Sequence, residues 1–142
     1  MVELEVWYNQ IPKNKFHPGE PTIKVRTAAE LDALIDRIRA ETRDHRCPAS
    51  IQMKVLANER DPVLEVGLGQ DKGYIHYLAD DFGRTVGDGD PDATVEYVYM
   101  SNLGEVPADS EVSIDVVRQG LHEFLATGTR PSVVREGAMP RW

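Results

Sequence analysis

Two amphipathic helical stripes stand one near each end of this chain, and the residues between them are patterned for strands. Leu31, Leu34, Ile35 and Ile38 recur at i, i+3, i+4 and i+7 and make one apolar stripe. Thr27 followed by Glu30 is a capping box, in which the threonine oxygen accepts from an early helical N–H while the glutamate reaches back. A first helix is expected from about Ala28 to Thr42, with Arg39 and Arg43 near its end, where the dipole favours cations. The second stripe is Val117, Leu121, Phe124 and Leu125, opened by Ser113 as N-cap with Asp115 in the first turn. Gly128 closes it as a C′ glycine, and Pro131 prevents its resumption. Gly120 costs the helix interior up to ~1 kcal/mol against alanine. It marks either a close approach of helix to sheet or a small residue of no consequence.

The remaining periodicity is that of strands. Val2, Leu4, Val6 and Tyr8 alternate with Glu3, Glu5 and Trp7, as a strand with one face in the core does. Residues 9–21 hold three prolines and form a loop, and Thr22 to Val25 is a second short strand able to pair with the first. Ile51, Met53 and Val55 alternate with Gln52 and Lys54, Ala57 to Asp61 is a turn, and Val63 to Gly67 is apolar enough for a central strand. Gln70-Asp71-Lys72-Gly73 predicts a hairpin turn with glycine at the left-handed position, returning as Tyr74 to Leu78. Residues 79–93 read as loop and Thr94 to Met100 as a strand. Asn102-Leu103-Gly104 turns the chain, and Pro107 confines the next segment to an edge or loop. Val133-Val134 adds a last short strand. The order is ββ-α-ββββ-α: an α+β fold with two helices and a mostly antiparallel sheet, its strands joined by hairpins rather than crossovers. No internal repeat or long linker divides the chain, so residues 1–142 are read as a single domain.

Composition narrows the function. The chain has 142 residues, 41% apolar and 28% charged, as an ordinary globular domain has. No apolar run approaches the ~20 residues of a membrane span. The N-terminus lacks the basic and apolar regions of a signal peptide. Cys47 is the sole cysteine, so no internal disulfide forms and a reducing cytoplasm is the expected location. The net charge of −8 is unevenly spread. Residues 61–123 carry three basic groups (Lys72, Arg84, Arg118) against fourteen acidic ones, net −11, whereas the flanks are net +1 and +2. Such a segment repels phosphates, which argues against direct nucleic-acid binding. It favours a basic protein partner. The plainer reading is that the charge only keeps the protein in solution.

Motifs for catalysis or metals fail on inspection. In Asp88-Gly89-Asp90-Pro91-Asp92 the carboxylates alternate as in a calcium loop. Counted from Asp88, however, the glycine needed at position six is Ala93 and the glutamate needed at twelve is Tyr99. His45 and Cys47 have no second pair to complete a zinc site, and His122-Glu123 lacks the second histidine one turn on. Gly67-Leu68-Gly69 leads into a turn and a strand, not a helix N-terminus able to hold phosphate. No cofactor fingerprint or nucleophile elbow occurs, and no cofactor is expected. His76, with Asp80 and Asp81 shortly after it, is the one conceivable acid–base group, and a sheet-lining histidine is the ordinary reading of it.

The run Phe124-Leu125-Ala126-Thr127-Gly128-Thr129-Arg130-Pro131 resembles the ending of one family: the type-one immunity proteins of bacterial polymorphic toxin systems, often encoded beside deaminase toxins. The glycine turn into an aromatic strand, Gly73-Tyr74-Ile75-His76-Tyr77, is similar to the family's, as is a late tryptophan, here Trp142. The chain departs from the family at Arg135 and Glu136, where members often carry tryptophan. The resemblance implies a non-enzymatic cytoplasmic antidote that docks over the active site of a basic, nucleic-acid-acting deaminase toxin. Asp80, Asp81, Asp88, Asp90, Asp92 and Glu96 are the expected partner-binding acids. Tyr97, Tyr99 or Trp7 would serve as aromatic anchors unless the core takes them. The alternatives are a small acidic subunit of a larger assembly and an enzyme using His76 with Asp80 or Asp81.

Overall fold

The computed structural model describes residues 1–57 and 62–137. Most of the expected turn over Ala57 to Asp61, and Trp142, lie outside the described residues. The chain runs β1 (Leu4–Trp7), β2 (Ile23–Val25), α1 (Ala28–Glu41), β3 (Ala49–Val55), β4 (Val63–Leu68), β5 (Lys72–Leu78) and β6 (Gly83–Arg84). It continues with β7 (Thr94–Tyr99), β8 (Asn102–Pro107), a 3-10 turn (Ala108–Ser110), β9 (Val112–Ser113), α2 (Ile114–Thr127) and β10 (Arg135–Glu136). The strands join in the order β10-β6-β5-β4-β3-β1-β2, with β7 bridging to β3 and β8, and β9 to β5. All ladders are antiparallel except the parallel bridge Ala49↔Val98. The fold is α+β, as the patterning implied.

Both helices form as their caps dictate. Thr27 Oγ1 accepts from the Glu30 N–H at 3.1 Å, and Glu30 Oε1 accepts from the Arg26 N–H at 3.0 Å. Ser113 caps α2 by accepting from Val116, and Gly128 ends it in the left-handed region at φ 70. The helices lie on one sheet face. Leu31, Leu34, Ile35 and Ile38 from α1, with Val117, Leu121, Phe124 and Leu125 from α2, bury against Leu4, Val6, Ile51, Met53, Leu64, Val66 and Ile75. Gly120 marks a close approach, since a Cβ there would lie 2.7 Å from Ile75 Cδ1 and 2.8 Å from Val133 Cγ2. On the solvent side Asp32 joins the helices, its Oδ1 2.9 Å from Arg118 Nη1 and 2.8 Å from His122 Nε2. Those hydrogen bonds, His122 first and then Arg118, lower the Asp32 pKa.

Four local expectations are corrected. Gly73 lies inside β5, paired with Leu68 and Val112, and the positive-φ glycines among the described residues are Gly19, Gly128 and Gly137. Glycine is needed there for a different reason: a Cβ would stand 2.1 Å from the Gly67 carbonyl oxygen. The segment 79–93 is not all loop, because Gly83–Arg84 pairs with His76 and Tyr77. The chain reverses at Met100-Ser101, not at Asn102-Gly104. Both residues have positive φ, 46° and 72°, as a two-residue hairpin loop of the primed type requires. Asn102 to Pro107 is therefore a strand, and it is an edge strand, as Pro107 allowed. The last strand is Arg135–Glu136 rather than Val133-Val134, whose Val134 is buried in the core.

Candidate partner-binding surface

The structure divides the acidic stretch into an inner set engaged on the sheet face away from the helices and an outer set at the surface. The inner set lies under the β7–β8 hairpin. The Tyr74 ring lies on Gly67, where a Cβ would stand 2.4 Å from the ring, and Tyr97 packs edge-on against Tyr74 with centroids 4.9 Å apart. Tyr74 donates its hydroxyl to Glu65 at 2.8 Å, and Tyr97 donates to Glu111 at 2.6 Å. Burial raises both phenol pKa values, so the rings stay neutral donors. Tyr97 is thereby a core residue and is not available as a surface anchor, whereas Trp7 and Tyr99 remain half-buried.

His76 belongs to the same inner layer. Its Nε2 is 3.1 Å from Ser110 Oγ, and its Nδ1 is 3.8 Å from Glu65 Oε2. Arg84 donates to Ser110 Oγ at 2.9 Å and to both Asp109 carboxylate oxygens at 2.9 and 3.1 Å. The Ser110 hydroxyl has one donor and a further acceptor site left for Nε2, so the direction of that bond follows the ring tautomer, and Nδ1 faces Glu65. Burial, with the Arg84 charge adding to it, pushes the His76 pKa down to about 4, so the ring is neutral. The partners of His76 among the described residues are thus Ser110 and Glu65, not Asp80 or Asp81. His76 is 3% exposed and Ser110 0%, so both are shut off from solvent, while Glu65 beside them is half-buried.

The outer acids stand on three neighbouring segments. Asp80 and Asp81 occupy the turn between β5 and β6, both at its surface, and Asp81 Oδ2 is 3.1 Å from Arg130 Nη1. Asp88, Asp90 and Asp92 stand on the β6–β7 connection. That connection is braced on the 3-10 turn by Gly87 N–H to Asp109 O at 2.6 Å and by Ala108 N–H to Ala93 O at 2.9 Å. Within it Asp90 Oδ1 accepts from the Asp92 N–H at 2.9 Å. Glu96 is half-buried on β7 and stands opposite Glu105 of β8. Sequence reasoning misses Glu105, because a turn at Asn102-Gly104 leaves no strand to carry it. Among the described residues, Asp80, Asp88, Asp90, Asp92, Glu96 and Glu105 have no ion-pair partner. Also among the described residues, no group of three or more His, Cys, Asp or Glu side chains is arranged to hold a metal ion.

The family model for immunity protein Imm1 matches residues 19–136. The chain belongs to the Imm1 family. The Imm1 match takes in both helices, the whole acidic stretch and β10, and leaves out β1 with most of the β1–β2 loop. No curated protein matches the chain. The ending that resembled the family is, in this Imm1 protein, the α2 C-terminus. There Gly128 stops the helix, and Arg130 reaches Asp81, Glu136 at 3.3 Å and the Tyr77 ring at 5.8 Å. These residues hold the scaffold together. The open acids lie elsewhere on it.

Proposed function

We propose that this protein is a bacterial cytoplasmic immunity protein that binds a cognate toxin and covers its active site, the toxin being a nucleic-acid deaminase. The observation that carries the reading is the open set of carboxylates on a chain matched by the Imm1 family. Asp80, Asp88, Asp90, Asp92, Glu96 and Glu105 have no counter-ion among the described residues, while Glu65, Asp109 and Glu111 are hydrogen-bonded or paired internally. A toxin that acts on nucleic acid presents cations to a phosphate backbone. Asp80, Asp88, Asp90, Asp92 and Glu96 offer those cations free carboxylates in place of phosphates, and Asp81 joins them by exchanging Arg130 for a toxin cation; the braced β6–β7 connection loses little freedom on binding. Opposite fields steer the encounter and raise the association rate. The same field repels nucleic acid itself, so the protein competes for the toxin rather than for its substrate. No catalytic step and no cofactor belong to this chain in the reading. The test is co-expression with the toxin's catalytic domain. A stable one-to-one complex is expected on size exclusion, and recovery of the two as separate species overturns the proposal.

A further inference from the structure

The hairpin β7–β8 has a second face and a second edge that neither the core nor the acidic loops use. Val98 N–H donates to Pro48 O at 2.9 Å, so it points away from β8. Pairs in an antiparallel ladder alternate between hydrogen-bonded and non-hydrogen-bonded. Val98↔Leu103 and Glu96↔Glu105 are therefore non-hydrogen-bonded pairs, whose side chains stand closest together. The N–H and C=O groups of Leu103 and Glu105 consequently point outward from the sheet, and among the described residues β8 pairs with β7 alone. The outer face then carries two cross-strand rows, one of paired carboxylates and one of paired aliphatic groups, with Leu103 61% exposed.

Free strand edges are usually blunted by lysine, proline, a bulge or shortness. Of the other sheet edges, β2 is three residues long and carries Lys24, and β10 has two residues. β8 has six, exposed from Asn102 to Glu105, with Pro107 only at its far end. Carboxylates directly opposite one another are destabilising in a free sheet. A cation set beside them relieves that repulsion. Beside the aliphatic row lies a groove of about 300 Å³ lined by His45, Arg46, Cys47, Glu96, Val98 and Leu103.

We propose that the free edge of β8 receives an extended basic segment of the toxin as an added strand. The proposal rests on the toxin-binding reading above and names its contact. The outward groups of Leu103 and Glu105 supply main-chain hydrogen bonds, and the two rows supply specificity. Leu103 and Glu105 are two residues apart on one face. The incoming strand therefore carries an apolar and a cationic side chain at alternate positions, the cation beside Glu96 and Glu105 and the apolar group over Leu103 and the groove. A second copy of this chain does not meet that requirement, because its own β8 brings carboxylates to carboxylates.

The experiment is amide hydrogen exchange on the protein alone and with the toxin's catalytic domain, alongside binding by two variants. The Leu103 and Glu105 amides are expected to exchange freely in the isolated protein and to slow at least tenfold in the complex. Glu105→Pro removes an outward N–H that has no partner among the described residues, and Leu103→Asp places a charge in the aliphatic row. Each is expected to weaken binding at least tenfold. If proline shifts the melting midpoint, Leu103→Asp decides. A complex that forms and inhibits while both amides keep their free rates overturns the β8 contact and leaves the toxin-binding reading standing. A dimer held through β8 also overturns it. Absence of any complex overturns both.

Discussion

His76 Nε2 lies 3.1 Å from Ser110 Oγ, and both side chains are closed off from water at 3% and 0% exposure. The pair ties β5 to the segment just after the β7–β8 hairpin, and Arg84 fastens the same serine from β6. It is a latch that keeps the hairpin on the sheet. Its chemistry gives a pH signature. The unfolded histidine takes up a proton near pH 6.5 and the folded one only near 4. The stability from this group is complete above 6.5 and is lost as pH falls through the window down to about 4, a decline of about 3 kcal/mol. Urea denaturation at pH 7 and pH 4.5 checks it. His76→Gln is expected to be less stable at pH 7 and to have a flatter profile across that window. Identical pH slopes in the two proteins would contradict a buried neutral ring.

The acidic loop is predicted to act on encounter rather than on folding. Asp88, Asp90 and Asp92 are at the surface and without ion pairs among the described residues, so replacing all three by asparagine keeps the turn chemistry and removes only charge. Melting is expected to change by less than about 0.5 kcal/mol per site. Association with the toxin is expected to slow, and its dependence on salt to flatten, with dissociation changing less. Stopped-flow association at two salt concentrations reads this. Unaltered association by the triple variant would make the loop a solvated surface only.

Gly128 separates scaffold from surface. Its φ of 70 lies in the left-handed region, and a Cβ would meet Val2 Cγ1 at 3.2 Å and Val55 Cγ2 at 3.3 Å. Gly128→Val is expected to cost more than the ~1–2 kcal/mol of left-handed backbone strain alone, and Gly128→Asn less than valine. Thermal denaturation orders the three proteins. Valine as stable as glycine would contradict the αL cap.

Two other glycines should respond in opposite ways to alanine. At Gly67 a Cβ meets the Tyr74 ring at 2.4 Å and the Tyr97 ring at 2.7 Å, and both rings are buried and tied by hydrogen bonds to Glu65 and Glu111, so Gly67→Ala is expected to lose about 1–3 kcal/mol. At Gly120 the nearest atoms are side-chain methyls, Ile75 Cδ1 and Val133 Cγ2, rather than rings. The ~1 kcal/mol that alanine adds to a helix offsets that contact, and Gly120→Ala is expected to be close to neutral. Equal losses at both sites would mean that the helix, too, is held rigidly against the sheet.

Elements with a period or a cap are legible in the sequence. Thr27, Glu30, Ser113 and Gly128 mark the helix ends, and the alternation of Ile51, Met53 and Val55 marks a central strand. Elements whose cause is tertiary are not. Met100-Ser101 has no glycine or asparagine to announce two positive-φ residues, so local signals favour a turn at Asn102-Leu103-Gly104 and hide β8. Gly83–Arg84, Val112–Ser113 and Arg135–Glu136 are too short to show a period and exist because β5 and β6 offer them an edge. For the site, the surface position of Asp80, Asp81, Asp88, Asp90 and Asp92 is legible from their loops. The roles of Ser110, Arg84 and Glu65 around His76 are not, because no local pattern joins residues so far apart in the chain.

In the proposed function, this chain silences its toxin by covering the active site. The most direct measurement is a titration of the toxin domain's deamination of single-stranded nucleic acid with the purified protein. The account predicts that activity falls linearly to baseline at one equivalent, and that raising the substrate concentration slows the onset of inhibition by competing for the same face. A toxin domain that binds the protein yet keeps full activity at saturation would contradict it.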